Sequence, residues 1–296
     1  MIARRTFCQL AGLSLAGVPS ASASALLGDD LEMRDLRLPG TFSKRMTLFL
    51  PKHLSNGANG SPTARLLVLL HGLGETTDER AGAYAWIERY GLGTAYGRLR
   101  HPPVTRTSRR EDMTDARLAE INAQLGAKPF GGFAIACPYL PNVHATRTSL
   151  DEVARWIVET VVPHARAESS LADASAAHTE IDGCSLGGYL SLEIFLRRPE
   201  AFGACGGVQS AIGEASAARY AERFAKAMAR VGPRDVYLAT SSRDPFRLGN
   251  EALARELGKR SIRPRLLSLR VLPGPHDQPW LRESGTLDML LWHDQR

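Results

Sequence analysis

Residues 178–198 join a short stretch that reads as a strand (HTEID) to a long helical one (LGGYLSLEIFLRR) through Gly-Cys-Ser-Leu-Gly-Gly at 183–188. This segment constrains the chain more than any other. It fits the pattern Gly-x-Ser-x-Gly in a strand–turn–helix setting. A residue on so tight a turn adopts a strained backbone that lifts its side chain above the sheet. Gly183 and Gly187 are needed because a Cβ at either would collide with the turn. The helix that follows aims its first N–H groups at the space above Ser185. A bare Gly-rich turn, with Ser185 only capping the helix, is the rival reading.

The rest of the chain supplies the sheet that such a turn requires. Short segments at 45–50, 65–70, 132–137, 178–182, 204–209, 235–241 and 265–272, most of them apolar, read as strands. The run RLLVLL at 65–70 is continuously apolar after Arg65, as expected for a strand covered on both faces. Helical patterns fall between the runs, at 150–161, 186–198, 215–231, 248–257 and 280–292, with a shorter one near 83–90. Ser149 and Glu152 form a capping box at the start of the first of these. Strands alternating with helices imply βαβ units and a mostly parallel central sheet with helices on both faces. The 296 residues are 44% hydrophobic and 23% charged, which suits one globular α/β domain. The stretch 99–132 breaks the rhythm, with Pro102-Pro103, Arg109-Arg110 and one helix at 113–124. It reads as an insertion, either a solvated excursion or a lid over a binding site.

An alcohol is a poor nucleophile unless a base takes its proton and a third group orients that base. On a sheet of this kind the partners follow the serine in the order Asp or Glu, then His, each at the C-terminal end of a later strand. Asp244 follows the strand DVYLATS, and His276 follows RLLSLRVL. Asp235 starts its strand, which puts it at the wrong end of the sheet. Asp277 adjoins His276 and cannot turn back to its ring. Asp182 sits in the turn itself. His164 and His293 read as surface residues on helices. A developing oxyanion also needs backbone donors. Leu73, in His71-Gly72-Leu73-Gly74 directly after the strand at 65–70, and Leu186, directly after Ser185, are best placed to give theirs.

The first residues carry a different signal. Arg4-Arg5 precede a weakly apolar stretch at 10–18, and small residues with A-x-A patterns run to Ala25. Residues 1–25 thus have the layout of a bacterial export signal, with a twin-arginine character. The apolar stretch is too short for the roughly 20 residues of a membrane-spanning helix, so no stable membrane anchor is expected. A periplasmic or secreted chain, delivered by the export machinery, follows from this. Its net charge would fall from +6 to +4 with the loss of two arginines. Removing 1–25 takes Cys8 and leaves Cys137, Cys184 and Cys205, an odd number that reads as buried thiols. The basic residues are interleaved with acids, so nothing supports nucleic-acid binding. No HExxH, paired CxxC or P-loop occurs, so no metal or organic cofactor is expected.

Four motifs, taken in order, are similar to the α/β-hydrolase superfamily: HGLG at 71–74, GCSLGG at 183–188, RDPF at 243–246 and PGPHDQPWLRE at 273–283. The chain most resembles its esterase branch, with esterase D, feruloyl and acetyl-xylan esterases, enterochelin esterases and mycolyltransferase antigens. The resemblance spans roughly 35–292. It implies a single α/β-hydrolase domain over 26–296, with His276 as base and Trp280 or a nearby residue packed beneath it. It also implies a serine esterase acting on a small-molecule, carbohydrate or lipid ester through an acyl-enzyme. Two departures bear on the substrate: Pro275 precedes His276 where the branch often has Gly, and 99–132 holds no family motif. An acyltransferase with the same three residues, or a binding protein without catalysis, stays open.

Overall fold

The computed structural model describes residues 23–40, 42–55, 65–169 and 175–296. Of the leader read at 1–25, only 23–25 are among them, in a short helix Ala23–Leu27. Arg4, Arg5, Cys8 and the turn-rich 56–62 lie outside the described residues. Among the described residues, eight strands form one sheet: β1 (Leu31–Arg37), β2 (Arg45–Pro51), β3 (Leu66–Leu70), β4 (Ala134–Pro138), β5 (Thr179–Gly183), β6 (Ala204–Val208), β7 (Asp235–Arg243) and β8 (Leu267–Pro275). Their order across the sheet is β1-β2-β4-β3-β5-β6-β7-β8. β2 runs antiparallel to both of its neighbours, and β3 to β8 are parallel.

Among the described residues, the helices that frame the sheet include α1 (Leu92–Arg100), α2 (Asp115–Ala127), α3 (Leu150–Trp156), α4 (Leu186–Arg197), α5 (Ala217–Val231), α6 (Arg247–Gly258) and α7 (Thr286–Gln295). The period-two geometry of a strand divides its side chains between two cores. In β3, Leu66, Val68 and Leu70 join the core beneath α3 to α6, while Leu67 and Leu69 join the one beneath α1, α2 and α7. Every residue of β3, β4, β5 and β6 is buried, which for β3 explains the continuous apolar run Leu66–Leu70.

Three features differ from the sequence reading. β1, with the sequence LEMRDLR, is an additional edge strand and mostly half-exposed. The stretch at 83–90 is two short helices, Glu79–Ala83 and Ala85–Glu88. The helical patterns at 150–161 and 280–292 each contain a wider π turn, Ile157–Val161 and Leu281–Gly285. The stretch 99–132 packs into the fold: Leu99, Val104, Met113, Ile121, Leu125 and Phe130 are buried in the second core. Arg117 of α2 is buried against Asp288 of α7.

Candidate active site

Gly183 ends β5 and Leu186 begins α4, so two residues make the whole turn. Ser185 sits at φ 56° and ψ −113°, a conformation that an L-residue adopts only under constraint. The constraint comes from the neighbouring strands. The Cys184 N–H donates to the Leu70 carbonyl at 3.1 Å, and the Ser185 N–H to the Val208 carbonyl at 2.9 Å. A Cβ at Gly187 would strike the Leu70 and His71 carbonyls, and one at Gly183 would strike the Gly187 backbone.

β7 and β8 run further than the sequence pattern suggests, to Arg243 and Pro275, and deliver Asp244 and His276 at their ends. His276 Nε2 lies 3.1 Å from Ser185 Oγ. His276 Nδ1 lies 2.8 Å from Asp244 Oδ1. The Asp244 carboxylate has no exposed surface and accepts two more hydrogen bonds, from Thr240 Oγ1 at 2.6 Å and the Phe246 N–H at 3.0 Å. The Phe246 ring meets the His276 ring edge-on. Trp280 is fully buried under the histidine loop, and its Nε1–H donates to the Pro273 carbonyl at 2.9 Å. Asp277 caps the turn after His276 by accepting from the Trp280 N–H, and faces Arg110.

Gln209 carries a signal that the sequence does not display. It follows β6 with φ at 50°, is buried, and donates through Nε2 to Ser241 Oγ at 2.8 Å and the Pro275 carbonyl at 3.1 Å. Ser241 Oγ donates to the same carbonyl at 3.0 Å. A strained glutamine thus ties down the residue before His276.

Leu73 opens a short turn, Leu73–Glu75, after β3, and Leu186 is the first residue of α4. Both line a cleft of about 500 Å³ with Ser185 and His276. Phe246, Ala211 and Leu281 give it apolar walls, and no residue of 99–132 lines it. His71 is buried behind the turn. Its Nε2 accepts the Leu140 N–H at 2.9 Å, which leaves Nδ1–H to donate to the Gly72 carbonyl at 2.9 Å. Burial lowers its pKa and keeps the ring neutral.

The histidine at 293 corrects the sequence reading. It is fully buried, with Nδ1 bound to Glu180 and Nε2 2.9 Å from Asp182 Oδ2. Burial pushes its pKa down, but the two carboxylates overcome this and raise it. Burial likewise pushes Glu180 up, yet His293 and Arg296 hold it at about 2. Asp182 is therefore engaged beneath the turn. Asp235, at the far end of β7, binds Arg265 and Arg296. His164 is half-buried in the helix Val162–Ser169. Cys137, Cys184 and Cys205 are buried free thiols.

The strand order, with a serine on the turn after β5 and its partners after β7 and β8, defines the α/β-hydrolase fold. Solved structures of that fold match along nearly the whole chain. A ferulic acid esterase superposes with a TM-score of 0.65 at 15% identity, covering 90% of this chain and 98% of that one. An S-formylglutathione hydrolase from Staphylococcus aureus gives 0.57 at 14%, over 88% and 97%. The ferric enterobactin esterase of Salmonella typhimurium gives 0.53 at 16%, over 95% and 63%. No family model matches the sequence, and no curated protein matches it.

Proposed function

We propose that this chain is an exported serine hydrolase that cleaves a carboxylic ester. The observation that carries the reading is the unbroken hydrogen-bonded line from Ser185 Oγ through the His276 ring to the buried Asp244 carboxylate, at a cleft beside the first turn of α4. Ser185 Oγ attacks the ester carbonyl carbon while His276 Nε2 takes its proton. The carbonyl oxygen becomes an oxyanion, received by the N–H groups of Leu73 and Leu186. Asp244 holds the ring in the Nδ1–H tautomer and faces the imidazolium that forms. Collapse breaks the bond to the alcohol, which leaves with the proton from Nε2. A water then gives its proton to Nε2 and attacks the acyl-enzyme, releasing the acid and restoring Ser185.

Two backbone donors of this kind each contribute roughly 3–4 kcal/mol to the transition state. The leader with Arg4 and Arg5 accounts for export to the periplasm or beyond. The substrate class is a small-molecule, carbohydrate or lipid ester. The test is hydrolysis of p-nitrophenyl esters of increasing chain length by the mature chain, beside Ser185→Ala. Activity lost in the variant is expected, and equal activity in both would remove Ser185 from the mechanism. Transfer to an added alcohol in place of water would make the chain an acyltransferase. Failure of a fluorophosphonate to label Ser185 would favour a binding protein.

A further inference from the structure

The proposed chemistry leaves unused one buried carboxylate at the edge of the reaction centre. Glu75 lines the cleft yet is 3% exposed. Arg89 donates to its Oε1 at 2.9 Å, with Gln278 Nε2 at 3.5 Å, and the Tyr90 hydroxyl donates to its Oε2. That hydroxyl is also an acceptor, taking the Gly72 N–H at 3.1 Å. Burial raises the Tyr90 phenol, which keeps its proton for Glu75. Gly72 is therefore held at both of its polar groups: its N–H by Tyr90 and its carbonyl by His71.

The consequence falls on the next residue. The Gly72 carbonyl and the Leu73 N–H belong to one planar trans peptide and point in opposite directions. Fixing Gly72 at both ends fixes the direction of the Leu73 N–H. Gly72 also packs close to the nucleophile: a Cβ there would lie 3.8 Å from that of Ser185, and 3.1 Å from the Tyr90 oxygen. A shift of Gly72 thus moves the Leu73 donor relative to the reacting carbonyl.

We infer that Tyr90, held by Glu75, is a positioning residue that aims the Leu73 N–H at the developing oxyanion. The inference rests on the oxyanion role given to Leu73 in the proposed function. A phenol meets the need because one oxygen both accepts from the backbone and donates to the carboxylate. Phenylalanine fills the same space and does neither.

The experiment compares the wild-type chain with Tyr90→Phe, Glu75→Leu and Glu75→Gln. Three quantities are measured: steady-state hydrolysis of p-nitrophenyl acetate, the rate of inactivation by a fluorophosphonate, and thermal unfolding. Removing an oxyanion donor outright costs about 10²–10³ in kcat, so a misaimed one should cost about tenfold or more. Tyr90→Phe is expected to lose that much kcat with KM within about twofold, and to react with the fluorophosphonate correspondingly slowly. Glu75→Leu should fall in the same direction. Glu75→Gln, which keeps an acceptor for the phenol, should recover most of the rate. If Tyr90→Phe does not fold, the contrast between the two Glu75 variants decides the matter. Unchanged kcat in Tyr90→Phe, or a raised KM alone, would overturn the inference and leave Tyr90 as a wall of the cleft. A wild-type chain that is neither active nor labelled would overturn the serine-hydrolase reading with it. An active wild type with unaffected variants would overturn this inference alone.

Discussion

Replacing Asp244 with asparagine removes one charge and almost no volume, so its effect can be estimated from the geometry. The carboxylate accepts from His276 Nδ1 and the Phe246 N–H at one oxygen and from Thr240 Oγ1 at the other. The Phe246 N–H can only donate, so it favours the asparagine oxygen at the first position. The side-chain amide then faces Thr240, whose hydroxyl can turn and accept. The histidine keeps its tautomer in that arrangement. What is lost is the attraction between the carboxylate and the imidazolium formed in the transition state. At a charge separation of about 4 Å and an effective dielectric of about 20, that attraction is about 4 kcal/mol. His276 is 26% exposed, and solvent screening brings the figure nearer 3 kcal/mol. At about 1.4 kcal/mol per decade, kcat should fall about 10²–10³-fold with KM within a few-fold. Steady-state hydrolysis of p-nitrophenyl acetate reads this directly. A loss below tenfold would refute the role given to the Asp244 charge. A loss as deep as that of Ser185→Ala would show that the amide had turned and reversed the tautomer.

Gln209→Gly should separate stability from activity. It relieves a positive φ worth roughly 1–2 kcal/mol while releasing the Pro275 carbonyl from one of its two donors. The melting temperature should change little and kcat should fall about tenfold; unchanged kcat would mean that Gln209 does not position His276. The buried ion cluster predicts an acid-sensitive stability. Glu180 titrates ordinarily near 4.5 and is held at about 2 in the fold. Because its pKa is depressed, its contribution of about 3 kcal/mol is full above pH 4.5 and is lost as pH falls towards 2. Urea unfolding should therefore show wild type and Glu180→Gln far apart at pH 7 and closer at pH 3. A gap that widens on acidification would contradict the assignment.

The elements that the sequence discloses are those governed by local rules. The turn at 183–188 announces itself because only glycine fits at Gly183 and Gly187, and β3 because both faces of that strand are covered. Asp244 and His276 could be located by counting strands. The residues that escaped depend on partners far along the chain. Nothing in the sequence of β1 marks it as a strand, since its partner in β2 supplies the reason for it. Gln209 looks like any glutamine until its backbone and the Pro275 carbonyl are seen together. His293, amid the polar WHDQR of the chain's last five residues, reads as exposed; its burial follows from Glu180 and Asp182, 113 and 111 residues earlier. The role of Tyr90 requires Gly72 and Glu75 to meet it across a loop.

The cluster around His293 also bears on how the molecule comes apart. Glu180 and Asp182 belong to the strand that carries the nucleophile turn, and their partners His293 and Arg296 stand at and just beyond the end of α7. Were α7 to fray, Asp182 would be left in the middle of the sheet without its counterion and Glu180 with Arg65 alone, 3.4 Å away, at a penalty of several kcal/mol. Partial opening at that end is therefore disfavoured relative to complete unfolding. The ion cluster makes the detachment of α7 and the collapse of the central strand a single cooperative event, and so protects the geometry of Ser185 from gradual loosening.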